Sequence, residues 1–304
     1  MMRTKIIILI SALCSVLAQA QQRPLQSLYM FDPLLINPAY AGNHVQLSAT
    51  AIYRNQWVNL PGAPKTISAT VHSGFRNARF GLGMIFGSDQ IGVHSDNSLY
   101  LAYSYKIPLN RYNGASLAMG LQGGFNNVRS DYSVLNPKDP DLYGTVTKFN
   151  PNFGAGLYYR DKTSYLGVSV PYILNNKLID TSIGTARQYR YYYVHAGTTR
   201  ELNKIIKFKP SVLFRIQDRA PLSFDVNAMW VFYDVVSIGT SYRLKDSFVG
   251  LFELQLNTNF HVGYAYDITT SALRQYSNGS HELMINYRIK INKIHKGLEC
   301  PSYF

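Results

Sequence analysis

Residues 282–291 read ELMINYRIKI, and this stretch decides the fold. Every second residue is apolar, which in an extended chain places these side chains on one face: Leu283, Ile285, Tyr287, Ile289 and Ile291. The opposite face carries the polar residues Glu282, Asn286, Arg288 and Lys290. A period of two with one apolar face predicts a β-strand.

The same alternation recurs along most of the chain. It predicts about fourteen strands, at roughly 45–54, 66–75, 79–89, 97–107, 115–128, 152–160, 163–171, 190–200, 205–216, 222–232, 235–243, 247–257, 260–267 and 281–291. Most of these segments have about the nine to eleven residues that a tilted strand needs to cross a bilayer. An even strand count is typical of single-chain bacterial barrels, so we predict an all-β, transmembrane antiparallel β-barrel.

The composition favours the same class. Aromatic residues make up 13% of the chain, with 24 tyrosines, whereas charged residues make up only 15%. Outer-membrane barrels carry girdles of aromatic side chains at both headgroup levels, which explains such a balance. The formal net charge of +13 favours anionic lipid headgroups or an acidic protein as partners, and we expect no nucleic acid, because an exported protein rarely meets any.

The N-terminus predicts export. Arg3 and Lys5 precede the apolar run of residues 6–17 and the small residues around Ala18 and Ala20, a pattern typical of a signal peptide cleaved after Ala20. The predicted domains are therefore residues 1–20 as signal peptide, 21–44 as an N-terminal periplasmic or plug-like segment, 45–291 as the barrel and 292–304 as a periplasmic tail. Removal of Cys14 would leave Cys300 as a single thiol.

The connections between strands mostly alternate in length. With a periplasmic N-terminus, every second connection is a short periplasmic turn, such as 76–79, 160–162 and 233–234. The other set contains two short exceptions near Asp218 and Asp246, and the longer connections are predicted to be outer loops: Asn55 to Lys65, Gln90 to Asp96, Arg129 to Pro151, Tyr172 to Tyr189 and Ile268 to Ser280.

Basic residues concentrate on the presumed periplasmic side. This periplasmic basic rim includes Arg76, Arg79, Arg160, Lys162 and Lys204. One hypothesis is that the rim meets phospholipid headgroups or an acidic periplasmic partner. The alternative is that these residues belong to ordinary solvated turns.

No catalytic, cofactor-binding or metal-binding motif stands out, so we expect no enzyme and no cofactor. The seven histidines lack a recognisable ligand spacing, and Gly81 and Gly83 lie inside a strand pattern rather than before a helix. The loop from Asn136 to Asp141 has the oxygen-bearing side chains of a calcium site, but a proline-rich turn is the simpler interpretation. Inward polar residues such as Asp225, Asn227 and Glu253 fit either a pore or a packed lumen.

The stretch before the first strand is the most specific one. Residues 26–42 read QSLYMFDPLLINPAYAG, in which Asn37-Pro38 and Ala41-Gly42 are turn-forming pairs. We expect a compact apolar segment that plugs or braces the periplasmic mouth of the barrel. The alternative is a linker behind the signal peptide.

This stretch resembles the opening motif of the PorP/SprF family of type IX secretion and gliding proteins in Bacteroidetes. The motif falls on Met30, Phe31, Pro33, Asn37, Pro38, Ala39, Tyr40, Ala41 and Gly42. The resemblance continues through Arg54, Gln56 and Trp57, the Pro-Gly-x-Pro of residues 61–64, the Ser280-His281-Glu282 opening of the last strand and the Cys300-Pro301 tail. It spans nearly the whole chain after the predicted leader.

The resemblance implies an outer-membrane component that is needed for secretion, or for surface anchoring, of a large adhesin or other type IX cargo with a C-terminal signal domain. It also implies a periplasmic, peptidoglycan-linked lipoprotein as a partner. The alternative that the barrel pattern supports equally is a diffusion channel or a transporter of hydrophobic solutes.

Overall fold

The structure, a computed structural model, describes residues 25–44, 46–75, 79–110, 112–135, 144–181, 184–217 and 220–289. The predicted signal peptide, Arg76, the loop from Asn136 to Asp141 and the tail with Cys300 lie outside these ranges. Fourteen strands form a closed antiparallel barrel, which confirms the predicted fold class. None of the helical turns in the described residues has the length and apolar character of a membrane-spanning helix.

The barrel strands follow one another around the wall in chain order. Their bounds are β1 Leu47–Asn55, β2 Lys65–Phe75, β3 Phe80–Ile91, β4 His94–Asn110, β5 Ala115–Asp131, β6 Thr145–Arg160, β7 Ser164–Val170, β8 Tyr191–Thr198, β9 Ile206–Gln217, β10 Ser223–Phe232, β11 Val236–Arg243, β12 Ser247–Gln255, β13 Phe260–Thr269 and β14 Ser280–Ile289. The pairing of β1 with β14, from Leu47 opposite Ile289 to Asn55 opposite His281, closes the barrel.

Short elements complete the described chain. Five 3-10 turns span Tyr29–Phe31, Pro33–Leu35, Pro38–Tyr40, Tyr132–Leu135 and Ala272–Gln275. Arg200–Glu201 pairs with β9 and so prolongs β8, and Lys177–Thr181 pairs with Gly184–Arg187 in a separate hairpin.

The alternation along each strand separates an apolar outer surface from a polar lumen. In β14, Leu283 and Ile285 are exposed on the outside, whereas Glu282 and Asn286 are buried inside. An outward apolar surface is what a barrel presents to lipid, because only lipid makes such exposure favourable.

The two rims differ in their connections. We call the end where β1 begins and β14 ends the near rim, and the opposite end the far rim. Near-rim turns are short, such as 233–235 between β10 and β11, whereas far-rim connections include residues 56–64, 171–190 and 270–279. The predicted alternation of short and long connections therefore holds in most places.

The prediction of a long far-rim loop from Gln90 to Asp96 was wrong. β3 continues to Ile91 and β4 begins at His94, so only Gly92 and Val93 form the turn. Gly92 has a φ of 55°, a left-handed conformation that glycine adopts without steric cost. In the same way, β5 and β6 extend into the predicted loop from Arg129 to Pro151. The added residues are mostly polar, and so they lack the regular apolar face on which the prediction relied.

The wall is high on one side and low on the neighbouring side. β4 and β5 have 17 residues each and β6 has 16, whereas β7 has 7 and β8 has 8. Beyond β7 the chain turns into the lumen, where the Gln122 side chain donates to the Pro171 carbonyl at 2.8 Å. The Tyr172 ring packs edge-on against Tyr100 at 5.1 Å. Residues 171–176 therefore cover the low part of the wall from inside.

The lipid-facing band predicts a depth-dependent response to charge. Leu121 is 63% exposed in the middle of the apolar stretch of β5, and Leu121→Arg should lower the free energy of unfolding by about 2–4 kcal/mol. Tyr112→Arg is the matched control, because Tyr112 is 92% exposed in a near-rim turn and should tolerate the change. Urea unfolding in phospholipid vesicles measures both, and equal stability of the two variants would contradict a lipid-facing band at Leu121.

Candidate functional site

Residues 25–44, which we call the lumen segment, fill the inside of the barrel. Leu28, Leu34 and Tyr40 expose 1% or less of their surface. The N-terminal part of the segment packs against inward apolar side chains of β1, β8–β10 and β12–β14, and the C-terminal part packs against those of β3–β6. The segment starts in the far half of the lumen and reaches the near rim at Gly42, so it extends over more of the barrel than a plug at one mouth would.

The motif residues of the segment form its turns. Pro33 and Pro38 each begin a 3-10 turn, a position where a missing N–H costs nothing. The Asn37 side chain caps the second of these turns by accepting a hydrogen bond from the Ala39 N–H at 3.0 Å. Gly42 has a φ of 64° and lies against Gly81 of the wall, where a side chain would not fit.

Asn37 also binds the segment to the wall. Its Nδ2 donates to the Leu157 carbonyl of β6 at 3.0 Å and lies 3.4 Å from His195 Nε2 of β8. Gly156 makes this approach possible, because a Cβ there would lie 2.1 Å from Asn37 Oδ1. Gly120 has the same role opposite Ala39, whose N would be 2.2 Å from a Cβ.

An ionic network holds the other end of the segment. Glu282 of β14 accepts hydrogen bonds from the backbone N–H groups of Ser27, at 2.6 Å, and Leu28, at 2.9 Å. Arg54 of β1, directly opposite Glu282 in the sheet, pairs with that carboxylate and with Asp267 of β13 at 2.8 Å. We call Arg54, Asp267 and Glu282, together with Ser27, the latch.

The latch unites parts of the family motif that are far apart in the sequence. Gln56 Oε1 accepts a hydrogen bond from Arg54 Nε at 3.4 Å. The Trp57 N–H donates to Ser280 Oγ at 3.1 Å. These contacts join the end of β1 to the start of β14, next to the carboxylate that binds the lumen segment.

Other inward polar residues are hydrogen-bonded to one another. Arg243 and Asp225 form a pair with N–O distances of 3.1–3.2 Å, and Asn227 donates to the Tyr29 hydroxyl at 2.8 Å. Glu253 lies 2.9 Å from His261. The structure thereby decides between the two interpretations of these side chains in favour of a packed lumen.

Asp32 of the lumen segment is a buried carboxyl group. It accepts a hydrogen bond from Thr70 Oγ1 at 2.6 Å. Burial raises the pKa of this carboxyl from 3.8 to about 6, although the Thr70 hydroxyl opposes the shift.

The basic rim is only partly as predicted. Arg79, Lys162 and Lys204 are exposed at the near rim, and Arg76 lies outside the described residues. Arg160 is buried, and its guanidinium points into the lumen towards the Asn43 carbonyl at 3.5 Å. The reason is the strand alternation, which places Arg160 on the same inward face as Gly156 and Tyr158.

Sequence reasoning missed two members of the latch. The sequence pattern places Asp267 at the end of a predicted strand without a role, and it gives Ser27 none beyond membership of residues 26–42. The missed signal was position, because Arg54, Asp267 and Glu282 all lie on the inward face near the far ends of neighbouring strands. Among the described residues, no group of three His, Cys, Asp or Glu is arranged to hold a metal ion.

Comparisons with known families and structures agree with this architecture. The family described as "Type IX secretion system membrane protein PorP/SprF" matches residues 18–287. No curated protein matches the sequence.

Three solved structures match most of this chain, and of these only the first has a TM-score above 0.5. The "CymD monoaromatic hydrocarbon channel" has a TM-score of 0.54 at 12% identity, over 89% of this chain and 94% of its own. Omp33 of Acinetobacter baumannii has a TM-score of 0.47 at 8% identity, over 82% of this chain and 100% of its own. A Pseudomonas aeruginosa FadL homologue has a TM-score of 0.42 at 12% identity, over 89% and 95%. At these identities the similarity concerns the fold alone.

The wall glycines give the first test of the filled lumen. Gly156→Ala should displace the lumen segment, because the new Cβ collides with Asn37 Oδ1 while that oxygen caps a turn. Gly250→Ala is the matched control, since no heavy atom lies within 4 Å of its Cβ position. Single-channel recording in planar bilayers should find Gly156→Ala conducting and Gly250→Ala closed. A closed Gly156→Ala barrel that keeps its segment protected from protease would contradict this packing.

The latch gives the second test. Glu282→Gln removes a buried charge from Arg54, and breaking a buried pair in this way should lower the free energy of unfolding by about 3–5 kcal/mol. Asp234→Asn breaks the exposed pair with Lys207 and should cost about 1 kcal/mol or less. Urea unfolding in detergent measures both. If the two variants lose the same stability, the latch does not hold the segment in the way described.

Proposed function

The chain belongs to the PorP/SprF family of type IX secretion system membrane proteins, and from this membership we propose that it is a non-enzymatic translocation or anchoring component of that system. A membrane β-barrel of this family is a protein of the outer membrane. In the proposed role it is needed for secretion, or for cell-surface retention, of a large adhesin-like cargo with a C-terminal signal domain. The predicted signal peptide would deliver it to the periplasm.

One observation carries the proposal more than any other, namely that the lumen segment fills the barrel. A barrel of this strand number would otherwise enclose a space wide enough for solutes. The lumen segment is fixed at both ends, at Ser27 by the latch and at Asn37 by the wall. Such a barrel is suited to act through its two rims rather than through its interior.

The far rim offers the larger surface for cargo. The strands β4–β6 rise high on one side, and the hairpin of Lys177–Thr181 and Gly184–Arg187 stands beside them. We propose that the connections of residues 132–144 and 171–190 contact the cargo.

The near rim suits a periplasmic partner. Arg79, Lys162, Arg200 and Lys204 are exposed there, and their positive charge would attract an acidic surface over about 8 Å in physiological salt. We propose that this rim docks the peptidoglycan-linked lipoprotein of the system and also contacts anionic lipid headgroups of the membrane.

Charge reversal tests the role of the near rim. The triple variant Arg79→Glu, Lys162→Glu and Lys204→Glu should lose the lipoprotein during affinity purification from mild detergent, because the attraction becomes repulsion. The matched control reverses three exposed far-rim charges, Lys65, Arg129 and Lys245, and should keep the lipoprotein. Surface-bound cargo is counted by immunolabelling in cells that carry each variant.

Two outcomes would contradict the proposal. If the near-rim variant retains both lipoprotein and surface cargo, the rim is a set of solvated turns. If the wild-type protein conducts ions steadily in planar bilayers and its loss leaves surface cargo unchanged, the alternative of a diffusion channel or hydrophobic-solute transporter is correct.

A further inference from the structure

A cavity of about 400 Å³ lies in the far half of the lumen, above the lumen segment. Leu25, Tyr29 and Ile36 of the segment form its floor, and its walls include the inward side chains of Ile85 and Val128. Tyr172, Tyr191 and Tyr193 add three aromatic rings on one side. A concave, mostly apolar space of this volume is typical of a binding site for a small organic molecule.

Two carboxylates face this cavity from neighbouring strands. Asp89 of β3 and Asp96 of β4 are directly opposite each other in the sheet, and both line the cavity. Asp89 accepts a hydrogen bond from Thr66 Oγ1 at 2.6 Å, and Asp96 Oδ2 accepts one from Asn126 Nδ2 at 3.0 Å. Like charges directly opposite in a sheet are destabilising, so a cation between them would be favourable.

Only one of the two Asp96 carboxylate oxygens is hydrogen-bonded among the described residues. Its Oδ1 is buried from solvent and has no hydrogen-bond partner among the residues that the structure describes. A buried carboxylate oxygen without a partner costs free energy, which a bound ammonium group would recover. His94, which also lines the cavity, lies 2.7 Å from Ser130 Oγ through its Nδ1 and is engaged there.

We propose that this cavity binds a small organic cation with an aromatic or aliphatic body. The ammonium group pairs with the Asp89 and Asp96 carboxylates, and the body packs against the tyrosine rings and the apolar floor. Aromatic rings of this kind bury apolar area of the body and stack against an aromatic one. This inference does not depend on the secretory role, because the cavity lies away from the near rim and binding is measured without cargo or partner.

Calorimetric titration of the full-length barrel in detergent tests the proposal with two probes of equal size. We expect 2-phenylethylammonium to bind saturably and at least about tenfold more tightly than the neutral 2-phenylethanol, since a hydrogen bond to a charged group contributes that much. Asp96→Asn should remove the preference for the cation. Glu201→Gln, which neutralises an exposed near-rim carboxylate, should leave binding unchanged.

A second variant tests the location without removing a charge. Val128→Phe places a larger side chain in the cavity and should abolish binding of both probes, while heat-modifiable migration on gels reports that the barrel is folded. The proposal is overturned if neither probe binds the wild type, if both bind equally, if Asp96→Asn keeps the preference, or if folded Val128→Phe binds as the wild type does.

Discussion

A barrel of fourteen strands encloses more space than its own inward side chains can fill, and this constraint governs the rest of the structure. The chain meets it by folding residues 25–44 back into the lumen before the first strand begins. Inward positions that would line a channel then become packing positions. Ile52 and Met284, for example, are buried against the segment instead of facing water.

The lumen segment brings polar backbone groups into the barrel. Each buried N–H group, carbonyl and charge at its contact with the wall therefore needs a hydrogen-bonding or ionic partner. Glu282 accepts hydrogen bonds from two N–H groups of the segment, and Arg54 and Asp267 complete the ionic network around it. In a lumen shielded from water, an unmatched charge at any of these positions would be costly. The wall supplies glycine at Gly120, which the backbone of Ala39 approaches, and at Gly156, which the Asn37 side chain approaches, too closely in both cases for a Cβ. Apolar burial, the latch and the wall glycines therefore act together to fix one position of the segment.

Because the lumen segment occupies the interior, the two rims are the main surfaces that remain for binding other proteins. The near rim presents exposed basic side chains, and the far rim presents a high wall, a hairpin and the mouth of a cavity. In the role that we propose, such a protein would bind partners at both rims and so connect a surface-exposed cargo with the periplasm. The same closed interior explains why a similarity in fold to channels does not by itself imply conduction.

The alternation of apolar and polar residues determined the strands, their inward and outward faces and most turns, because the period of a strand is a local property of the chain. The turn-forming pairs before the first strand identified the lumen segment as a compact unit, since the residues of each pair are adjacent in the sequence. Only the tertiary structure decided which residues meet in the lumen. Arg54 and Glu282 are separated by 228 positions, and their contact depends on the register with which the last strand closes onto the first. The inward position of Arg160, the short turn at Gly92 and the path of the lumen segment to the far half were likewise decided by closure of the barrel, because it sets which side chains share an enclosed space.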